Sequence, residues 1–312
     1  TFSFHQFPDL EELDRLDGLD SDEMTVLAVP FPDQNAEAER EFCSGRENWL
    51  PASATSERLG LKIRATTALV NASLLPVMRR VAEETGRAVE QIAPEAPLTV
   101  LRSDGGVIEV EEVGERPLDA LFSGPAAGAS AAVGWLGIGD GVFLEVGGTS
   151  TDVTLIEAGQ VPMEQVTLGG VRLYTESLDL RTVGVGGGSL LRTDGHLGPR
   201  SAHQAGLQYL VFGDEPEGEL SVDTRRLGDG RDYLVLTDEA DREYGVTLSD
   251  LAAATERVAD EYAGEVEGRE ELLNRALDAA ASVVGEPGAM LAENALNRAA
   301  EKVAREVRGL AR

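Results

Sequence analysis

Between Glu145 and Asp152 the chain reads EVGGTSTD, an octet whose residue types can hold a phosphate without any cation. Gly147 and Gly148 carry no Cβ, so their backbone N–H groups can approach an anion closely. Thr149, Ser150 and Thr151 place three hydroxyl donors in the same turn, and a strand is expected to leave from Asp152. The segment is not a Walker loop: it lacks the Gly-Lys-Ser/Thr ending and is followed by a strand instead of a helix. A Gly-Gly-Thr tripeptide also makes ordinary hairpins, so its flanks decide between the two meanings.

Two further segments carry the same kind of signal. In VGVGGGS, Val183 to Ser189, three consecutive glycines follow a strand. Such a run is conformationally costly and marks either close backbone approach, to a ligand or a neighbouring element, or a flexible loop. In SGPAAGAS, Ser123 to Ser130, Gly124 and Pro125 start a helix whose N-terminal amides could face an anion. Tight packing of its small residues explains that segment equally well. His203 and Cys43 stand alone, without a partner in sequence, and read as packing or surface residues.

The elements that must position these residues follow from periodicity. Val142–Val146 and Val153–Ile156 read as strands on either side of GGTSTD. Glu157-Ala-Gly-Gln160 is a hairpin turn, with strands expected near Val161–Gln165 and Val171–Tyr174. Upstream, MTVLAVPF (24–31) suits a buried strand, Asn35–Phe42 a short acidic helix, and Ser56–Ile92 a long helix bent or broken near Pro76. Pro97–Arg102 is a strand entering the turn at Ser103–Gly106, and Val107–Val113 alternates as a short strand would. Another strand is expected over Ser189–Thr193. Asp214–Tyr244 is polar and turn-rich, with one strand at Tyr233–Leu236. From Leu248 to Arg312 the chain reads as mostly helical, with Gly285-Glu-Pro-Gly288 between two helices.

Composition excludes several classes of function. The 312 residues include 56 acidic and 27 basic side chains, a net charge of −29. A surface that negative repels phosphate backbones and anionic headgroups, so neither nucleic acid nor a membrane is an expected partner. Lys62 and Lys302 are the only lysines, a bias that fits either salt adaptation or a codon preference for arginine. Cys43 is the single cysteine, which points to a reducing, cytoplasmic setting. The least polar run, 126–139, is shorter than the ~20 residues a membrane span requires. Position 1 is Thr, so a preceding segment is expected.

Strand, Gly-Gly-Thr turn, strand resembles the phosphate device of the actin, hexokinase and heat-shock ATPase superfold. In order and spacing, LRSDGG (101–106), SGPAAG, EVGGTSTDVTLI, LDLRTVGVGGGS and GPRSA (198–202) resemble the hydantoinase A/5-oxoprolinase family, over about Met24 to Phe212. The resemblance implies an α/β fold: an actin/hexokinase-like (ribonuclease H-like) ATPase lobe with a mixed sheet and a helical C-terminal region. It divides the chain into an α/β segment with a long helix (1–96), an actin-like core bearing the phosphate loop (97–213) and a mostly helical region (214–312).

The activity implied is ATP-dependent opening of a cyclic amide or imide, with ATP and Mg²⁺ as cofactors. A hydantoinase B-type partner subunit is implied as well, and a homo-oligomer is left open. Carried over by position, Gly147, Gly148, Thr149, Ser150 and Thr151 would hold phosphate, and Gly186, Gly187, Gly188 and Ser189 would line the cleft. Asp152 and Asp179 are the candidate catalytic residues, and Glu145 with Asp152 would meet the metal through water.

Three positions depart from the family pattern. Glu145 stands where Asp is usual, Arg181 where His is usual, and RSAHQAGLQYLVFG (200–213) replaces a Pro-rich, cysteine-containing segment. The family's first lobe, with its own Gly-Gly-Thr loop, has no counterpart before residue 24. On that ground the chain alone is expected to bind ATP poorly and to turn over nothing. A catalytically inactive scaffold within a two-component complex and a small-metabolite kinase are the alternatives.

Overall fold

From Ala65 to Leu75 small and apolar residues recur at helical spacing, and they bury one face of a 32-residue helix, Leu61–Ile92. A computed structural model describes residues 24–46, 48–259 and 263–310. Residues 1–23 of the segment 1–96, and residues 260–262 and 311–312 of the tail, lie outside the described residues. The chain forms two compact units, one of residues up to Ala131 plus Pro162–Asp179, the other of Ala132–Val161 plus Leu180 onward. These units cut across the three segments expected from the sequence, since 97–213 contributes to both.

In the first unit the long helix runs through Pro76 without the break its proline suggested. The buried positions of the helix, Arg64 to Leu75, all precede Pro76. Asn71 also fastens this half, donating to Glu115 O and accepting from Leu118 N. Anchoring of that kind offsets the roughly 3 kcal/mol that an interior proline costs a helix. The helix Pro32–Cys43 and the parallel strand pair Thr25–Leu27 and Trp49–Pro51 join it through one buried ion pair. Glu39 accepts from Arg64 Nη1 at 3.0 Å, from Val29 N at 2.7 Å and from Ser53 N at 2.6 Å, and Arg64 Nη2 donates to Val29 O.

Val107–Val113 does not form one strand. The strand stops at Glu109 and Val110–Val113 makes a helical turn. Val110 and Val113 are both buried, and three residues apart is a helical spacing that the local alternation disguised. Thr99–Leu101 pairs with Val107–Glu109, and Met163–Leu168 with Val171–Leu178, both antiparallel. The second hairpin is longer than the sequence suggested and turns at Gly169 and Gly170, both at positive φ.

In the second unit, Gly141–Val146, Thr151–Ile156 and Arg181–Val183 form an antiparallel three-stranded sheet in that order. Its middle strand is buried almost throughout, whereas Val142, Leu144 and Val146 of the outer strand stay exposed. Glu157 and Gln160 bridge across the expected hairpin turn. Asp214–Tyr244 holds more strands than the one expected. Gln208–Tyr209, Glu243–Gly245, Asp232–Thr237 and Ser221–Arg226 form a mixed sheet in that order. Ser221–Arg226, SVDTRR, has no apolar alternation because it is an exposed edge strand held by backbone pairing.

The helices Leu248–Ala254, Glu270–Val284 and Gly288–Leu310 close the main core, where Val153, Val183, Leu234, Leu251, Leu277 and Leu291 are buried together. Gly288–Leu310 packs on the strands Thr151–Ile156 and Arg181–Val183. No helix among the described residues is long and apolar enough to cross a membrane.

Candidate functional site

The octet EVGGTSTD is the turn of a hairpin, with Val146 opposite Thr151 and Glu145 opposite Asp152 in the ladder. Gly147 N donates to Ser150 O at 2.8 Å and closes the turn. Among the described residues, the N–H groups of Gly148, Thr149 and Ser150 have no acceptor and the Thr149 hydroxyl has no partner. Gly147, Gly148 and Thr149 are exposed, and a Cβ built on Gly148 would meet nothing within 4 Å. Consecutive unpaired amides on an open turn form a concavity suited to an anion. Thr151 takes a different part: its side chain is buried and its Oγ1 donates to Val185 O at 2.7 Å.

The second glycine run lies directly against this turn. Gly187 N donates to Gly147 O at 2.9 Å and Gly188 N to Gly148 O at 2.7 Å. A Cβ on Gly186 would stand 2.4 Å from Gly147 O and 2.8 Å from Ser150 N, so only glycine fits. The close approach foreseen for this run is therefore backbone on backbone. Gly187 and Gly188 brace the turn with the same N–H groups that cleft-lining would have offered to a ligand. Ser189 closes the run on itself, its Oγ accepting from Gly186 N at 2.9 Å and its N–H donating to Gly186 O.

Behind the run, Gly187 O accepts from Ser249 N and Gly188 O from Ala202 N, each at 2.9 Å. Ser249 opens the helix Leu248–Ala254, which carries a capping box: Thr247 accepts from Asp250 N while the Asp250 carboxylate accepts from Thr247 N. That carboxylate also accepts from Thr247 Oγ1 and Val211 N. Burial pushes the Asp250 carboxyl up to about 6, against the lowering effect of these hydrogen bonds.

The carboxylates fall into two groups. Asp152 is buried and lies between its cross-strand partners Glu145 and Thr182, and its Oδ1 accepts from Thr182 Oγ1 at 2.5 Å. Glu145, Asp152 and Thr182 thus share one face of the sheet. Arg181 pairs with Val153, so the pleat sends its side chain to the opposite face. No group of three or more His, Cys, Asp or Glu side chains gathers as a metal site among the described residues. Asp179 belongs to the first unit, where its N–H donates to Pro162 O at 2.7 Å.

Two of the other motifs serve the framework of the fold. Ser103, within LRSDGG, donates through N and Oγ to Asp119 O, accepts from Phe122 N, and receives Leu178 N at its carbonyl. SGPAAGAS forms the helix Ser123–Gly134, where Ala126 and Ala129 are fully buried, so its small residues serve packing. Thr182 and Ser249, which meet Asp152 and the second glycine run, stand in no motif of the sequence. Only the T-x-x-D capping pattern at Thr247–Asp250 marks the helix that begins beside Ser249.

The mixed α/β fold, with its Gly-Gly-Thr hairpin and helical C-terminal region, is of the actin-like kind. Solved structures share it: nucleotide-free acetone carboxylase (TM-score 0.65, 20% identity, 90% of this chain and 38% of that chain). ATP-dependent caprolactamase from Pseudomonas jessenii gives a TM-score of 0.59 at 20% identity, over 96% of this chain and 42% of that chain. The hydantoinase/oxoprolinase family profile matches residues 64–312, and the chain belongs to that family.

Caprolactamase subunit alpha of Pseudomonas jessenii is 32% identical over 147 residues, covering 45% of this chain and 21% of the subunit. Two uncharacterized proteins of Schizosaccharomyces pombe are 29% and 33% identical, each over 45% of this chain and 11% of their own length. The matches to these curated relatives thus span about a fifth of their length or less.

Proposed function

We propose that the chain is part of an ATP-dependent hydrolase that opens a cyclic amide or imide, with the turn at Gly148–Ser150 holding phosphate. One observation carries this reading: three consecutive backbone N–H groups and the neighbouring Thr149 hydroxyl find no partner among the described residues and sit on an exposed turn. The family membership and the caprolactamase relatives support the reaction class. A lactam carbonyl is a poor electrophile, and ATP would supply a phosphoryl group to its oxygen, activating the carbon for addition of water. The C–N bond would then break with the ring nitrogen leaving as a protonated amine, and hydrolysis of the resulting acyl phosphate would release phosphate and the carboxylate.

The residues present fit the phosphates of such a cofactor, because the side of the turn at Gly148 is open. Gly148, Thr149 and Ser150 would bind phosphoryl oxygens through N–H donors, and the Thr149 hydroxyl would add a fourth. Gly186, Gly187 and Gly188 would keep the turn rigid from behind, so that its donors need no rearrangement as charge develops. Two carboxylates, Glu145 and Asp152, suit a Mg²⁺ held chiefly by phosphate oxygens and water. Thr182 would fix the orientation of Asp152 for that purpose. Asp179 is retained as a candidate catalytic acid or base, and a second subunit of the hydantoinase B type as the partner.

The test is lactam-dependent ADP release by the full-length protein carrying Thr149→Ala, with ε-caprolactam and 5-oxoproline as probes. Loss of release at unchanged thermal stability is expected. Release equal to that of the parent would remove the turn from the reaction, and a stable phosphorylated product without ring opening would make the protein a kinase.

A further inference from the structure

Tyr209 lies outside every motif that marks the family, yet its hydroxyl meets the paired glycine turns. A Cβ built on Gly188 would stand 2.1 Å from Tyr209 Oη and 2.9 Å from Gly148 O. The phenol oxygen, the Gly188 backbone and the Gly148 carbonyl therefore converge on one spot. Gly148 O is already occupied by Gly188 N, and Tyr209 Oη has no hydrogen-bond partner among the described residues.

The rest of the residue is firmly held. Its strand, Gln208–Tyr209, pairs in parallel with Glu243–Gly245, and its carbonyl accepts from Gly213 N at 3.0 Å. The ring packs on the cluster that includes Leu190, Leu207 and Tyr233 and lies 6.2 Å from the Phe212 ring. Packing accounts for the aromatic ring at this position, while the hydroxyl, which reaches solvent, is open to a ligand.

We propose that Tyr209 is a ligand-holding residue of the phosphate turn, its Oη donating a hydrogen bond to a phosphoryl oxygen bound at Gly148–Ser150. The proposal rests on the reading of that turn as a phosphate site. It gives the segment 200–213, which replaces the family's usual sequence there, a part in binding. Burial, with the charge of Asp250, holds the phenol above its ordinary value, so the group stays protonated and able to donate. A fixed donor to a charged oxygen is worth more than one to a neutral acceptor.

The experiment is calorimetric titration of the full-length protein with inorganic pyrophosphate and with MgADP, for the parent, Tyr209→Phe and Thr149→Ala. Thermal midpoints of all three are recorded alongside. Removing one hydrogen bond to a charged group should weaken pyrophosphate by roughly tenfold or more in each variant, with midpoints unchanged. If Thr149→Ala weakens binding and Tyr209→Phe binds as the parent does, the proposal is overturned while the phosphate turn stands. If Tyr209→Phe weakens binding and Thr149→Ala does not, the anion lies away from the turn and the proposal is again overturned. A parent that binds neither probe overturns the phosphate turn and this proposal together.

Discussion

Replacing Gly186 by Ala should damage the fold of the second unit, whereas the same change at Gly148 should damage only ligand binding. The new Cβ at Gly186 would lie 2.4 Å from Gly147 O, 2.8 Å from Ser150 N and 2.9 Å from Gly148 C, all backbone atoms that no rotamer change can move. Relief requires the two turns to separate by about 1 Å, since ordinary carbon–oxygen contacts begin near 3.4 Å. That movement breaks the bonds from Gly187 N to Gly147 O and from Gly188 N to Gly148 O. Two backbone hydrogen bonds at about 1 kcal/mol each, with about 1–3 kcal/mol for the strain of overpacking, give a loss of roughly 3–5 kcal/mol.

At Gly148 an added Cβ meets nothing within 4 Å and φ is not left-handed, so stability should stay within about 0.5 kcal/mol. The methyl group would instead stand on the open side of the turn and weaken MgADP binding. Urea denaturation followed by circular dichroism gives the stabilities, and titration calorimetry gives the binding. Equal stabilities for Gly186→Ala and Gly148→Ala would refute the reasoning, because the second glycine run would then not be pressed against the first.

Other consequences can be read from single side chains. Asp250 titrates near 6 in the folded protein and near 4 when unfolded, so the folded state keeps its proton longer. Stability should therefore fall by up to roughly 3 kcal/mol as pH rises from about 4 to 6 and level off above, a component absent from Asp250→Asn. Equal pH slopes for the parent and Asp250→Asn would exclude that contribution. Glu39→Gln should cost the first unit about 3–5 kcal/mol, because the fully buried Arg64 loses its counter-charge. Trp49 fluorescence during urea unfolding reports it, and replacing both Glu39 and Arg64 by Met should recover much of the loss. Burial, with the neighbouring Glu39 charge, pushes the Cys43 thiol up to about 12. Iodoacetamide at pH 8 should then label the folded protein roughly a thousandfold more slowly than the urea-unfolded chain, and comparable rates would contradict its burial.

The Gly-Gly-Thr hairpin was legible in the sequence because its signal is local: two glycines, three hydroxyl residues and a strand on each side within eight positions. The part played by the second glycine run was only half legible. Three glycines announce a close approach, but whether a ligand or another stretch of backbone does the approaching depends on tertiary structure. Thr182 and Tyr209 were out of reach, since one is placed by strand register and the other by a fold of the chain some 60 residues after the turn. Val107–Val113 shows the opposite failure, where a true alternation of types hid a helical turn whose two valines point inward together. Pro76 shows that a local breaker is overruled when the helix ahead of it is fastened by buried contacts.

A structure of the full-length protein with a non-hydrolysable ATP analogue and Mg²⁺ tests the central claim most directly. The account predicts phosphoryl oxygens within hydrogen-bonding distance of Gly148 N, Thr149 N and Thr149 Oγ1, with the second glycine run still bonded to the turn. A nucleotide bound with its phosphates elsewhere, and these donors facing only solvent, would contradict it.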